Sequence, residues 1–173
     1  MNYADIKKAD IANGTGVRVS VFVSGCTHAC KNCFNRKAWD FNYGKEFTET
    51  EIDKILKELD NPFVSGLSLL GGEPLEHSNQ KGLLPLVKKV KEKYPQKDIW
   101  CYTGYTFDND VMGKMYGKWE ETAELLKNID VMVDGKFEED KKDLRLRFRG
   151  SSNQRIIDVQ KSIEGKKAIL FEF

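Results

Sequence analysis

Short apolar runs alternate along the chain with longer stretches of helical periodicity. Arg18 to Val23 (RVSVFV) is rich in β-branched residues and predicts a first strand. Thr48-Glu49-Thr50-Glu51 has the form of a capping box. Ile52, Ile55, Leu56 and Leu59 then recur at helical spacing until Asn61-Pro62 stops the helix. Gly66 to Leu70 predicts a second strand. Leu83, Leu84, Leu86, Val87, Val90 and Tyr94 predict an amphipathic helix with lysines on its outer face. Asp98 to Tyr102 predicts a third strand, residues 119–127 a helix, and Ile129 to Val133 a fourth strand. Arg155 to Val159 and Ala168 to Phe171 are weaker strand candidates. Strands alternating with helices predict an α/β fold with a mostly parallel sheet and helical crossovers.

Each of the first four predicted strands is followed by a loop of unusual residues. Three cysteines follow the first, Gly71-Gly72-Glu73-Pro74 the second, Thr103-Gly104-Tyr105 the third and Asp134-Gly135-Lys136 the fourth. Ligands of parallel α/β folds bind at the carboxyl ends of strands, so the four loops are expected to share one rim. A complete eight-stranded barrel takes about 250 residues. The 173 residues here predict a partial, open (β/α) barrel in a single domain spanning 1–173.

Composition narrows the function classes. Lysine and arginine number 28 against 27 acidic residues, so net charge points to neither nucleic acid nor an anionic membrane. No apolar run approaches the roughly 20 residues of a membrane span. The opening MNYADIKKADIANG has no apolar signal core, which predicts a cytoplasmic protein. In that reducing compartment, clustered cysteines read as metal ligands or redox groups, not as disulfides.

Cys26, Cys30 and Cys33 follow a C-x3-C-x2-C spacing, and the only other cysteine is Cys101. A structural zinc site closes four ligands, and here the fourth would have to be His28, inside the cluster. A bacterial-type ferredoxin would continue with further cysteines, and none follows Cys33. Three thiolates on a cubane of four irons leave one iron open, and an open position is where chemistry happens. A zinc-stabilised binding protein or an electron carrier without catalysis stands as the competing reading.

C-x3-C-x2-C followed by an aromatic residue resembles the signature of the radical S-adenosylmethionine enzymes. Asn13-Gly14-Thr15-Gly16-Val17-Arg18, FVSGC, GGEPL, DIWCYTGY, VDGKF and RGSSNQ occur in the order seen in the anaerobic ribonucleotide reductase activating proteins. The resemblance runs to about Gln154, with Phe34 standing where tyrosine is common. It implies a radical S-adenosylmethionine type of partial barrel. It also implies a 4Fe–4S cluster on Cys26, Cys30 and Cys33, and S-adenosylmethionine chelating the fourth iron and cleaved reductively to a 5′-deoxyadenosyl radical. Asn32, Cys33 and Phe34 are then expected beside the adenine, and Gly72 and Glu73 beside the amino acid end, with Glu73 accepting from its ammonium. The implied partners are the catalytic subunit of an anaerobic ribonucleoside-triphosphate reductase, which receives a glycyl radical, and reduced flavodoxin. An activase of the pyruvate formate-lyase type, or a radical enzyme for a small substrate, is the alternative within that chemistry.

The remaining candidates carry blander expectations. Gly14-Thr15-Gly16 lacks the Gly-Lys-Ser/Thr of a phosphate loop and reads as a turn. His28 reads as an exposed loop residue, Phe34 as buried under the cysteine loop, and Cys101 as core-facing. Lys136, Thr103 and Tyr105 are either substrate contacts or ordinary loop residues. Leu144 to Arg149 (LRLRFR) alternates apolar and basic. It predicts an edge strand with a solvated face, a docking surface for an acidic partner being the competing reading.

Overall fold

The computed structural model describes residues 1–173. Seven strands form one mixed sheet: β1 (Asn2–Asp10), β2 (Val17–Val23), β3 (Lys45–Glu46), β4 (Val64–Gly71), β5 (Asp98–Tyr102), β6 (Val131–Asp134) and β7 (Arg155–Asp158). Their order is β3-β1-β2-β4-β5-β6-β7. The centre, β2-β4-β5-β6, is parallel, whereas β1 and β3 at one edge and β7 at the other run antiparallel. Helices α1 (Glu49–Leu59), α2 (His77–Lys93) and α3 (Glu120–Leu126) make the crossovers, and α4 (Val159–Gly165) follows β7.

Strand periodicity divides the sheet into two faces. Val19, Val21, Val23, Leu67, Leu69, Ile99, Cys101 and Met132 point to one face, where they are buried with Ile55, Leu86 and Leu125 of the helices. Cys101 is core-facing, as the sequence predicts, and burial pushes its thiol well above the ordinary range. The residues between them point to the other face, which no helix covers.

That second face carries a buried polar cluster with aromatic rings packed beside it. Arg18 is fully buried there. Its guanidinium donates to Ser68 Oγ (2.7 Å), Leu67 O (2.9 Å) and Thr15 O (3.0 Å) and pairs with Asp98 at 2.7 Å. The Gly14-Thr15-Gly16 turn is thus part of a staple across β2 and β4. Beside Arg18 the Trp100 ring, its centroid 5.5 Å from the guanidinium carbon, packs edge-on against Phe148 and Phe171.

The box at Thr48 forms as predicted, with Thr48 N–H donating to Glu51 at 2.8 Å. Several elements depart from the sequence reading. β1, NYADIKKAD, is mostly half-buried or exposed, so no apolar stripe announces it; β2 recruits it through backbone pairing, helped by Ile6 against the core and by Asp10, which accepts from the Ser20 hydroxyl at 2.7 Å. Helix α2 begins at His77, ahead of its apolar run, and tolerates Pro85 inside it. Phe107–Met115 is a π-helical segment, with bonds such as Val111 N–H to Thr106 O spanning five residues. Leu144 to Arg149 is not a strand. It runs as turns over the uncovered face, and its alternation fails because Phe148 adopts a left-handed backbone (φ 56°) to turn its ring onto Trp100. Ala168 to Phe171 contributes only an isolated bridge, Leu170 to Ile157.

Candidate functional site

The four strand-end loops meet at a cavity of about 440 Å³ on the uncovered face. Cys26, Cys30 and Cys33 come to it from the loop after β2, Gly72 and Glu73 from the turn after β4, Gly104 from the loop after β5 and Gly135 from the loop after β6. Phe34 also lines it. Asn32 does not; it is exposed and lies in left-handed backbone (φ 57°), where it turns the chain into Cys33.

The cysteine loop is bolted to the Gly-Gly-Glu turn. Gly25 N–H donates to Ala38 O (2.7 Å), Cys26 N–H to Trp39 O (3.2 Å) and Glu73 N–H to Gly25 O (2.8 Å). A Cβ on Gly72 would lie 2.5 Å from Gly25 O and 2.9 Å from Ala38 O, so only glycine lets these backbones touch. Asn79 of α2 donates to Ser24 O at 3.0 Å and to Glu73 O at 2.9 Å, tying both loops to one helix. Thr27 donates through its N–H and hydroxyl to Glu76 at 2.9 and 2.5 Å.

Glu73 is completely buried, and all of its acceptor capacity faces protein donors. One oxygen accepts from Thr103 Oγ1 and Leu75 N–H, both at 2.8 Å. The other accepts from Gly104 N–H at 2.8 Å and lies 2.6 Å from His28 Nε2. The expected contact of this carboxylate with a ligand's ammonium therefore competes with four internal partners. Those partners make Glu73 a strut joining three of the four loops.

His28 corrects the sequence reading. Its side chain is only 6% exposed, is held by Glu73 and rests on the Tyr105 ring at 4.4 Å. Nε2 is thus taken by the carboxylate, and only Nδ1 is left for another partner. Phe34 is corrected in the opposite sense: it is fully exposed, not buried under the loop. Thr103, ambiguous in sequence, belongs to the Glu73 strut. Lys136 is exposed, and its charge acts on the Cys30 thiol. The residues that sequence reasoning missed are Glu76, Asn79 and His28. Two glutamates flanking Pro74-Leu75 were a readable sign of loop anchoring.

Burial pushes the Cys26 thiol up to about 12, and Glu73 adds to the effect. Burial also raises Cys30, against the pull of Lys136. Both are thus neutral thiols until something positive replaces their protons, the behaviour expected of metal ligands. No disulfide joins them, and no three His, Cys, Asp or Glu side chains close around a single ion. Three soft sulfur donors on one loop, open on the cavity side, suit an iron–sulfur group larger than one ion.

The segment after β6 forms the opposite wall. Asp134 is buried in a two-pronged pair with Arg155 at 2.5 and 3.0 Å and accepts Phe107 N–H at 2.7 Å. Gln154 donates to Gly135 O (3.0 Å) and accepts from Gly150 N–H (2.9 Å), and Asn153 donates to Lys136 O (2.8 Å). The RGSSNQ stretch therefore latches the DGK loop to the cavity wall.

Comparison with known proteins agrees with this geometry. The family model of the 4Fe-4S single cluster domain matches residues 12–157. The chain is 45% identical over 156 residues to the anaerobic ribonucleoside-triphosphate reductase-activating protein of Pasteurella multocida, covering 89% of this chain and 95% of that protein. The proteins of the same name from Escherichia coli K12 and Enterobacteria phage T4 are 41% and 40% identical. The matches cover 89% of this chain and 96% of the first relative, and 90% and 93% for the second. The chain belongs to the family of anaerobic ribonucleoside-triphosphate reductase-activating proteins, with a 4Fe–4S single cluster domain.

Proposed function

We propose, with that membership as the premise, that this protein activates the catalytic subunit of an anaerobic ribonucleoside-triphosphate reductase by placing a glycyl radical on it. One observation carries the reading: the three thiols and the Gly-Gly-Glu turn line the same cavity, on the sheet face that no helix covers. Cys26, Cys30 and Cys33 would hold a 4Fe–4S cluster, leaving the fourth iron to S-adenosylmethionine. When bound, these groups supply a one-electron cleavage of the sulfonium that yields a 5′-deoxyadenosyl radical able to take a hydrogen atom from a glycine Cα.

The chain's own residues orient and exclude. Glu73 fixes the cysteine loop, through His28, against the Thr103-Gly104 loop. Gly72 lets the turn approach without a side chain in the way. Asn32, Cys33 and Phe34 offer the adenine side of the site, with the exposed Phe34 ring free to close over a ligand. The cavity wall of Phe22, Leu70, Val133 and Phe148 keeps water from a reactive intermediate. The sheet does not close on itself and no helix covers this face, which suits a partial, open barrel of the radical S-adenosylmethionine type in a single domain over 1–173. A loop of a folded partner can enter such a face. Reduced flavodoxin is the electron donor in this reading, and the cytoplasm its compartment; no helix is long and apolar enough to cross a membrane.

Electron paramagnetic resonance tests the assignment. This protein, a reductant, S-adenosylmethionine and the reductase, mixed without oxygen, are expected to give a glycyl radical doublet on the large subunit. Cleavage of S-adenosylmethionine with no protein radical would assign a different substrate. No cleavage at all would return the molecule to the class of electron carriers.

A further inference from the structure

The floor of the cavity carries one polar side-chain atom that the protein leaves without a partner. Phe22 stands opposite Leu70 and Tyr102 opposite Val133, and the pairing of Leu69 with Cys101 brings the two pairs into line. The four side chains thus lie abreast on the uncovered face, and all four line the cavity. Three are hydrocarbon. Tyr102 ends in a hydroxyl that is buried and makes no hydrogen bond. Burial pushes the pKa of this phenol up, so it stays an O–H donor. Phenylalanine would fill the same place without stranding a polar group, which is costly when buried.

The wall carries the cavity's one cation. Of all the lysines and arginines only Arg149 lines the cavity, and it is half-buried. Phe148 packs against Trp100 of β5, which anchors the segment ending in Arg149 on the strand that bears Tyr102. One arm of the guanidinium donates to Gln154 O at 2.5 Å, while Nε and Nη2 make no bond within the protein. Other polar side chains around the cavity are engaged. His28 and Thr103 are held by Glu73, and Gln154 holds Gly135 O and Gly150 N–H. One neutral and one charged set of donors therefore remains for an occupant.

We propose that Tyr102 and Arg149 grip the main-chain carbonyl oxygens beside the target glycine of the reductase. The inference rests on the proposed function, which makes a glycine of a folded partner the substrate. Glycine has no side chain to recognise, so a site that presents its Cα must hold the neighbouring peptide groups. Carbonyl oxygens are the acceptors every peptide offers, and a guanidinium fork can span more than one of them. The hydrogen atom then passes from that Cα to the 5′-carbon of the deoxyadenosyl radical and leaves the unpaired electron on the glycine. Tyr102 and Arg149 exchange no atom with either; they position the substrate.

The test uses the cluster-loaded protein, with the catalytic subunit of the reductase as the probe. Wild type, Tyr102→Phe, Arg149→Gln and Arg149→Lys are compared. Melting followed by circular dichroism should place Tyr102→Phe at or above wild type, since its hydroxyl has no bond to lose. Its affinity for S-adenosylmethionine, titrated by calorimetry, should match wild type. Affinity for the reductase should fall about fivefold in Tyr102→Phe and about tenfold or more in Arg149→Gln, with Arg149→Lys between. Each variant should also form more 5′-deoxyadenosine per glycyl radical, because a misplaced Cα lets the radical take its hydrogen elsewhere. Wild-type reductase affinity and coupling in Tyr102→Phe would overturn the proposal, whatever Arg149→Gln shows. So would a Tyr102→Phe variant that melts well below wild type, because its hydroxyl would then have a partner inside the protein. Weaker S-adenosylmethionine binding with reductase affinity intact would assign both groups to the cofactor instead. A wild type that cleaves S-adenosylmethionine yet leaves no glycyl radical would sink the proposed function, and this inference with it.

Discussion

Replacing Glu73 with alanine should destabilise the protein far more than its single position suggests. The carboxylate is fully buried and accepts Leu75 N–H, Gly104 N–H and the Thr103 hydroxyl, with His28 Nε2 beside it. In Glu73→Ala the two backbone donors are stranded, while the hydroxyl and imidazole can turn toward other partners. At about 2 kcal/mol for each stranded buried donor, the loss is about 4 kcal/mol. Glu73→Gln keeps one oxygen for Thr103 and Leu75, and its amide can donate to the imidazole, so only Gly104 N–H is stranded, at about 2 kcal/mol. The measurement is urea unfolding of anaerobically purified wild type, Glu73→Gln and Glu73→Ala at equal iron content, followed by circular dichroism. Midpoints should fall in that order with an unchanged slope. S-adenosylmethionine affinity should weaken in the same order, because the strut sets the spacing of three loops. An alanine variant within about 0.5 kcal/mol of wild type, well inside the stranded-donor range, would refute the strut. So would a glutamine variant as damaged as alanine.

Cys26→Ala, Cys30→Ala and Cys33→Ala should each lose bound iron, while Cys101→Ser retains it; iron analysis after anaerobic reconstitution decides, and retention in any of the first three removes that residue as a ligand. Gly72→Ala should lower both iron content and S-adenosylmethionine affinity, since its methyl would press on Gly25 O and Ala38 O; wild-type values in a calorimetric titration would show that the backbones yield. Burial works against the Asp110 carboxylate, but the Lys114 ammonium and the Thr106 N–H and hydroxyl outweigh it and hold its pKa near 2 instead of 3.8. A folded-state pKa below the unfolded one stabilises above pH 3.8, and the gain is lost as pH falls through about 2. Asp110→Asn should therefore cost about 1 kcal/mol at neutral pH, allowing for solvent screening. The gap to wild type should close in acid, and a gap constant from pH 6 down to the acid transition would contradict the assignment.

The sequence showed the site more clearly than the scaffold around it. Val19, Val21 and Val23 announce their strand by burial, and the loop that follows is read from residue type and spacing alone. The strand Asn2–Asp10 stays hidden because its one fully buried residue is polar, Asp10, and Ile6 is its only branched apolar residue. It exists because β2 offers a free backbone edge, which is a property of the assembled sheet. The alternation of Leu144 to Arg149 misled for the opposite reason. Period-two patterning describes a strand only where a neighbour pairs with it, and here Trp100 captures Phe148 instead. His28 carried no signal of its own, since its burial depends on a glutamate 45 positions away. Contacts between loops are set by topology, and single-residue patterns do not encode them.

The carbonyl of Gly25 receives both the Glu73 amide and, more distantly, the Asn79 side chain. That one oxygen makes the cysteine loop and the Gly-Gly-Glu turn a single mechanical part. A protein stripped of iron has no reason to keep its three thiols in place, and whatever slack the loop gains passes through Gly25 into the turn. If the cysteines hold the cluster and the turn the small cofactor, as proposed, readiness to accept that cofactor would be a readout of whether the metal has been installed.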